Sequence, residues 1–259
     1  AQLNLCRSSG NYKEHLKWWK QESRGGDNQK TMWWFGYHNR CVLQLGVICW
    51  FRARNKVIKH NIKLINNPEE YENAHLFNKA FDKLMDYTPK IAVYYGDEKV
   101  DWDEAKDYFN RFMIKDFVKS VKEWDFPEYF DYSYTSKQME EYEKRFRSLR
   151  GDLFTGGIIL KEYIELDKTG GHTHEFRGFY YKGRLIHLYH NSENYEDKLD
   201  KITKFAGKIP KLDSNFYTID FAVTKEGKFV VLECGDGQVS GLPSDKEIEE
   251  LYDKLLNRG

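Results

Sequence analysis

The sequence predicts an α+β fold, with antiparallel hairpins and helices instead of a doubly wound parallel sheet. Three observations carry this expectation. Residues 174–181 and 184–190 read as strands joined by Lys182-Gly183, a two-residue hairpin turn. Residues 215–223 and 228–234 read as a second hairpin around Glu226-Gly227. Helical segments are expected at 68–85, 136–149, 191–205 and 244–257, on either side of these hairpins. No internal repeat is visible.

In chain order, Asn67-Pro68 marks a turn, and Pro68-Glu69-Glu70 opens a helix that runs to Met85. Proline suits the first turn, and the acids face the positive end of the helix. Ile91 to Tyr95 reads as a strand, Asp101 to Arg111 as a short helix and Phe112 to Lys119 as a strand. The acidic, aromatic stretch 123–136 reads as a loop. Ser136 is the expected cap of the helix that follows, and 157–164 is another strand. Ser244 and Glu247 form a capping-box pattern at the start of the last helix.

A chain of 259 residues is long enough for a sizeable core. With 32 % charged and 16 % aromatic residues it is too aromatic for a disordered chain and too charged for a membrane-embedded one. The apolar run from Cys41 to Phe51, broken by Gln44, is about half a bilayer span. No leader pattern is recognisable. The four cysteines show no CxxC spacing, so a reduced, cytoplasmic protein is expected.

The formal charge is zero, but residues 1–60 hold eleven Lys or Arg against Glu14, Glu22 and Asp27. The same stretch carries Trp18-Trp19 and Trp33-Trp34. Basic residues among aromatics suit a nucleic-acid platform, and they equally suit an atypical N-terminal subdomain. No nucleic-acid-binding motif accompanies the charge.

The hairpin from Phe216 to Glu233 carries the sharpest pattern. If Glu226-Gly227 is a two-residue turn, Lys225 faces Lys228 and Asp220 falls opposite Glu233. Like charges facing each other across strands are destabilising unless something offsets them. A hard divalent cation would do so, since such ions take carboxylate oxygens. Asp236 follows among glycines. A solvent-facing acidic pair is the alternative reading, and a turn of odd length would take the carboxylates out of register.

Two further strands carry isolated charges. In Phe112 to Lys119, alternation puts Met113, Lys115, Phe117 and Lys119 on one face. A lysine within an apolar face suits an anionic partner such as phosphate, or else snorkels at a sheet edge. Glu175 and Arg177 share a strand face, as a ribose acceptor and a phosphate clamp or as a structural ion pair.

Taken in order, Leu64 to Tyr71, Met113 to Ser120, Leu160 to Ile164, Glu175-Phe176-Arg177, Asp220 and Leu232 to Gln238 resemble the ATP-grasp superfamily. The likeness is to the clade named for one arginine and two lysines, and it covers roughly residues 60–243. It implies two α+β subdomains holding ATP between them. An N-terminal segment 1–60, a first subdomain within 61–162 and a second within 163–259 are the expected divisions. The resemblance makes Lys115 and Lys119 phosphate-contacting lysines. Glu162 to Ile164, with Tyr163 between them, would match the adenine hinge, and Lys161 beside them is a further expected cofactor contact. Glu175 would hold ribose, and Arg177 would sit near the transferring phosphate. Asp220 and Glu233 would bind Mg²⁺, with Asp236 as third ligand, because Gly235 stands where the family commonly has Asn. No glycine-rich lid is evident in 120–136.

The implied activity is an ATP- and Mg²⁺-dependent ligation of a carboxylate to an amine through an acylphosphate, with ADP released. The expected partners are ATP and carboxylate- and amine-bearing substrates, such as an amino acid, a peptide or a protein terminus. An ATP-grasp kinase and a non-catalytic nucleotide- or nucleic-acid-binding module are the rival readings.

Overall fold

The computed structural model describes residues 64–122, 125–190 and 199–257. The basic N-terminal segment and residues 191–198, where the helix expected over 191–205 was to begin, lie outside the described residues. Among those described, no helix is long and apolar enough to cross a membrane.

The described chain starts with two short helices, α1 (Pro68–His75) and α2 (Phe77–Leu84). Asn67 and Glu70 form a reciprocal capping box at the start of α1. The single helix expected over 68–85 is broken at Leu76, which is extended at φ −92° and ψ 108°. Phe77 N–H donates to the carbonyl of Phe117 at 2.8 Å, so a tertiary bond replaces the helical one. Local periodicity could not reveal that partner.

Next come β1 (Ile91–Tyr95), α3 (Trp102–Tyr108), β2 (Arg111–Lys115), a two-residue β3 (Phe130–Asp131), α4 (Ser136–Arg150) and β4 (Gly157–Glu162). Thr135, one residue before the expected Ser136, caps α4 through Gln138. These strands form an antiparallel sheet of order β1-β4-β2-β3. One face buries Phe112, Ile114, Ile158 and Leu160 against α3 and α4. Phe126 and Phe130, from the segment read as a loop, fill this core with Met139 and Phe146. The other face packs Ile159 against Phe77 and Phe117 and meets Cys234 from the second sheet.

The second sheet has the order β6-β5-β7-β8, from β5 (Glu175–Tyr181), β6 (Arg184–His190), β7 (Phe216–Val223) and β8 (Phe229–Asp236). Lys182 and Gly183 both have positive φ, 50° and 81°, as a two-residue hairpin turn requires. One face packs on α1, α2 and α5 (Leu199–Ala206) through Tyr217, Ile219, Phe221, Leu84 and Ile202. The other is partly covered by α6 (Asp245–Leu256), which packs Leu251 and Leu255 on Phe179 and Phe216. His187 pins α6 to the sheet, with Nε2 2.6 Å from Glu247 and Nδ1 3.0 Å from Lys254.

Candidate active site

The register of the second sheet assembles half of the site. Arg177 pairs with Asp220 across β5 and β7, and Asp220 pairs with Glu233 across β7 and β8. Three charged side chains thus stand in one row. The expected facing of Asp220 and Glu233 is present, by a different route from the one expected. The hairpin loop holds three residues, Lys225 to Gly227: Thr224 N–H bonds to Lys228 O at 2.7 Å, and Gly227 turns at φ 77°. That odd loop pairs Phe221 with Val231. A bulge then leaves Leu232 as the extra residue and restores Asp220 opposite Glu233.

Arg177 grips Asp220 with both arms of its guanidinium, Nε to Oδ1 and Nη2 to Oδ2, each at 2.6 Å. Its Nη1 donates to Gly241 O at 3.1 Å. Burial opposes the arginine's charge, but the Asp220 hydrogen bonds and charge outweigh it and move its pKa up. Glu175 lies two residues earlier on β5, exposed, and its Oε1 accepts from Thr173 Oγ1 at 2.7 Å.

The first sheet contributes the lysines. Lys115, at the end of β2, is only 2 % exposed, and Lys161 on β4 is 4 % exposed. Both ammonium groups lie over the Phe77 ring, at 4.8 and 4.2 Å from its centroid. Lys161 also donates to the carbonyl of Leu232, the residue extruded by the bulge. One lysine of the first sheet therefore braces the irregularity that sets Glu233 in place. Burial lowers the pKa of Lys115, with Glu233 opposing. Burial and the Lys115 charge bring Lys161 down to about 7.

Lys119 departs from expectation. The strand does not continue to it: β2 ends at Lys115, and residues 116–119 form a turn closed by Asp116 N–H to Lys119 O at 2.9 Å. Lys115 and Lys119 consequently do not share a strand face. The turn instead carries the Lys119 ammonium to 3.6 Å from Glu233 Oε2. Burial opposes the Glu233 charge, yet Lys115, Lys119 and Lys161 together hold its pKa below the usual carboxylate range.

Asp236 is not brought to the other carboxylates. It pairs with Tyr217 on the opposite face of the sheet and is fully buried. There it accepts from Asn66 Nδ2 and from Gln238 N–H, the latter at 2.9 Å. Burial outweighs these donors and raises its pKa to about 7. Alternation explains the placement, since residues 233 and 236 fall on opposite faces of a regular strand.

Residues 162–164, expected at an adenine hinge, lead from the end of β4 toward β5 of the second sheet. Glu162 N–H donates to Lys90 O and Tyr163 N–H to Arg111 O, both at 2.9 Å, so both backbone donors are engaged. The Tyr163 ring lies tilted against Tyr129 with centroids 4.5 Å apart, and its hydroxyl bonds to Glu128 Oε1 at 3.0 Å. Half-buried Ile164 leads into Leu166, which bridges Thr224 of the carboxylate hairpin.

Sequence reasoning missed His75, Asp116 and Arg150. His75 ends α1, and burial with the Lys119 and Lys115 charges holds its pKa down to about 4. Its Nδ1 is buried without a hydrogen-bond partner. Asp116 was readable as a turn former, since an Asp directly after a strand caps the amides two and three residues on.

The donor set fits a hard cation and a polyphosphate. Asp220 and Glu233 offer oxygen ligands side by side. The basic side chains of Lys115, Lys119, Lys161 and Arg177 gather around these two carboxylates, which favours an added anion. A cavity of about 280 Å³ lined by Glu69, Glu70, Asn73, Lys211, Asp213, Ser214 and Asn215 includes none of these groups.

Two antiparallel four-stranded sheets, one presenting lysines and the other an Arg-Asp-Glu row, define a nucleotide-grasping domain. The chain belongs to the ATP-grasp superfamily: the model of the ATP-grasp domain, family 3 of the clade named for one arginine and two lysines, matches residues 71–255. No curated protein matches the sequence significantly. Among solved structures, the D-cycloserine synthetase DcsG aligns over 82 % of this chain and 79 % of its own, with a TM-score of 0.51 and 13 % identity. The D-alanine–D-alanine ligase from Bacillus anthracis aligns over 79 % of this chain and 73 % of its own, with a TM-score of 0.51 and 13 % identity. A RimK domain ATP-grasp protein from Sphaerobacter thermophilus aligns over 79 % and 76 %, with a TM-score of 0.50 and 12 % identity. These likenesses are of fold.

Proposed function

We propose that this chain is an ATP- and Mg²⁺-dependent ligase that joins a carboxylate to an amine. The observation that carries the reading is the row of Arg177, Asp220 and Glu233 set against Lys115, Lys119 and Lys161 from the other sheet. When bound, Mg·ATP supplies the transferable phosphoryl group. Phosphoryl transfer asks the protein mainly for positioning and charge neutralisation.

The chain's own groups divide that work. Asp220 and Glu233 hold the cation, and Lys115, Lys119 and Lys161 neutralise phosphate oxygens. Arg177 stabilises charge on the phosphoryl group in transit, and Glu175 accepts from ribose. The acceptor is a substrate carboxylate, and an amine then displaces phosphate from the acylphosphate. The D-alanine–D-alanine ligase and D-cycloserine synthetase folds support ligation as the outcome. An amino acid, a peptide or a protein terminus is the proposed substrate class, in the cytoplasm.

Incubation with ATP, Mg²⁺ and pools of amino acids and peptides tests this by mass spectrometry. The expected products are ADP, phosphate and a condensed amide, all absent with Glu233→Ala. AMP and pyrophosphate would overturn the mechanism. A phosphorylated substrate without condensation would establish a kinase instead.

A further inference from the structure

The turn that carries Lys119 is built around a buried carboxylate. Asp116 is fully buried. Its Oδ1 accepts from Val118 N–H at 2.8 Å and Lys119 N–H at 2.6 Å. Its Oδ2 accepts from Arg150 Nε at 2.8 Å and Thr155 N–H at 3.3 Å. Arg150, the last residue of α4, also donates to Leu153 O at 3.1 Å. Phe117 N–H bonds to Thr155 O at 3.2 Å, and its ring sits where a Cβ on Gly156 would lie only 2.1 Å away. The turn is tied to α4, to the approach to β4 and, through Phe77, to the α1–α2 corner.

A buried carboxylate with one cationic partner is expensive to leave uncompensated and adds little net stability when paired. Stability alone is thus a weak reason for this network. Its geometric consequence is specific. It ends β2 at Lys115, reverses the chain within four residues and brings the Lys119 ammonium to Glu233 on the other sheet. Here the charge is placed in advance by side chains on rigid elements, which reduces the ordering that binding must impose.

We propose that Asp116 and Arg150 are positioning residues that hold Lys119 at the phosphate side of the site. The inference rests on the reading of Lys119 as a phosphate contact given above. Both Asp116 oxygens are engaged by backbone amides and Arg150, so the pair acts through the Lys119 backbone.

A double-mutant cycle tests it, read as the affinity for a non-hydrolysable ATP analogue with Mg²⁺ in titration calorimetry. Lys119→Met and Asp116→Asn should each weaken binding about ten- to a hundred-fold, the worth of one charge-assisted hydrogen bond. The double variant should bind no more weakly than Lys119→Met alone. Melting followed by circular dichroism checks that each protein is folded. Should Asp116→Asn fail to fold, Arg150→Met with Lys119→Met closes the same cycle, and Arg150→Lys should recover most of the affinity. Additive losses, or wild-type affinity in a folded Asp116→Asn or Arg150→Met protein, would overturn the positioning role alone. A wild-type protein that binds no nucleotide would refute the nucleotide site and this inference with it.

Discussion

The two sheets contribute opposite charges to the site and hold them by different means. In the second sheet, Arg177, Asp220 and Glu233 stand in adjacent strands, and Arg177 meets Asp220 twice at 2.6 Å. Most of that charge is matched within the sheet. In the first sheet, Lys115 and Lys161 are buried over one aromatic ring, and the carboxylate that offsets them, Glu233, belongs to the other sheet. Pairing within one sheet gives the site order before nucleotide binds. Two buried cations that share one carboxylate lose solvation in the nucleotide-free protein and gain further stabilisation when an anion arrives.

Substituting one charge from each side tests this contrast most strongly. Arg177→Ala should lower ATP turnover about 10³-fold or more, the usual worth of an arginine at a transferring phosphoryl group. It should also lower the melting temperature, because Asp220 loses its partner. Lys115→Met should weaken nucleotide binding about ten-fold or more, with the melting temperature unchanged or raised, since an apolar side chain replaces a buried cation. If Lys115→Met destabilises the protein as much as Arg177→Ala does, the contrast between the sheets is wrong.

The same contrast explains what the sequence could reveal. The pairing of Arg177 with Asp220 joins strands that are not sequence neighbours and was not expected. The facing of Asp220 and Glu233 follows from strand alternation and hairpin counting, which are local quantities. Even there the count from a two-residue turn reached the right pairing through two errors that cancel, a longer loop and a bulge at Leu232. The ATP-grasp resemblance supplied the order of the elements, and the α+β class followed from the hairpins. The lysine side was harder. Alternation extended β2 through Lys119, while the chain turns at Asp116 because Arg150, 34 residues later, completes a buried carboxylate network. Leu76 breaks a well-formed helical pattern for a hydrogen bond to residue 117. Both features depend on partners distant in sequence.

Asp236 sharpens the comparison from within the second sheet. Its place three residues after Glu233 suggested a metal ligand, but the pleat turns it to Asn66 on the other face. Asp236→Asn should cost about 1–3 kcal/mol of stability in denaturant unfolding, because an amide NH₂ then opposes the Asn66 donor. The dependence of ATP turnover on Mg²⁺ concentration should stay as in the wild type. A shifted Mg²⁺ requirement with unchanged stability would return Asp236 to the metal.

The smallest effect separates the buried lysines by pH. Burial and Lys115 hold Lys161 at about 7, against 10.5 for an unperturbed lysine. The folded, nucleotide-free protein therefore favours the neutral amine, while the unfolded chain keeps the proton until pH approaches 10.5. The contribution of Lys161 to stability is present above 10.5 and is lost as the pH falls through about 7. Binding runs the other way, because the phosphate needs the ammonium form. Nucleotide affinity should fall as the pH rises above 7, by up to about ten-fold per unit for one proton taken up, and by less if other groups titrate in opposition. Lys161→Arg stays charged throughout this range, so calorimetric titrations between pH 6.5 and 9 should show a flatter profile for that variant. Equal slopes in the two proteins would mean that Lys161 keeps its proton before nucleotide binds, and that Glu233 already matches both buried cations.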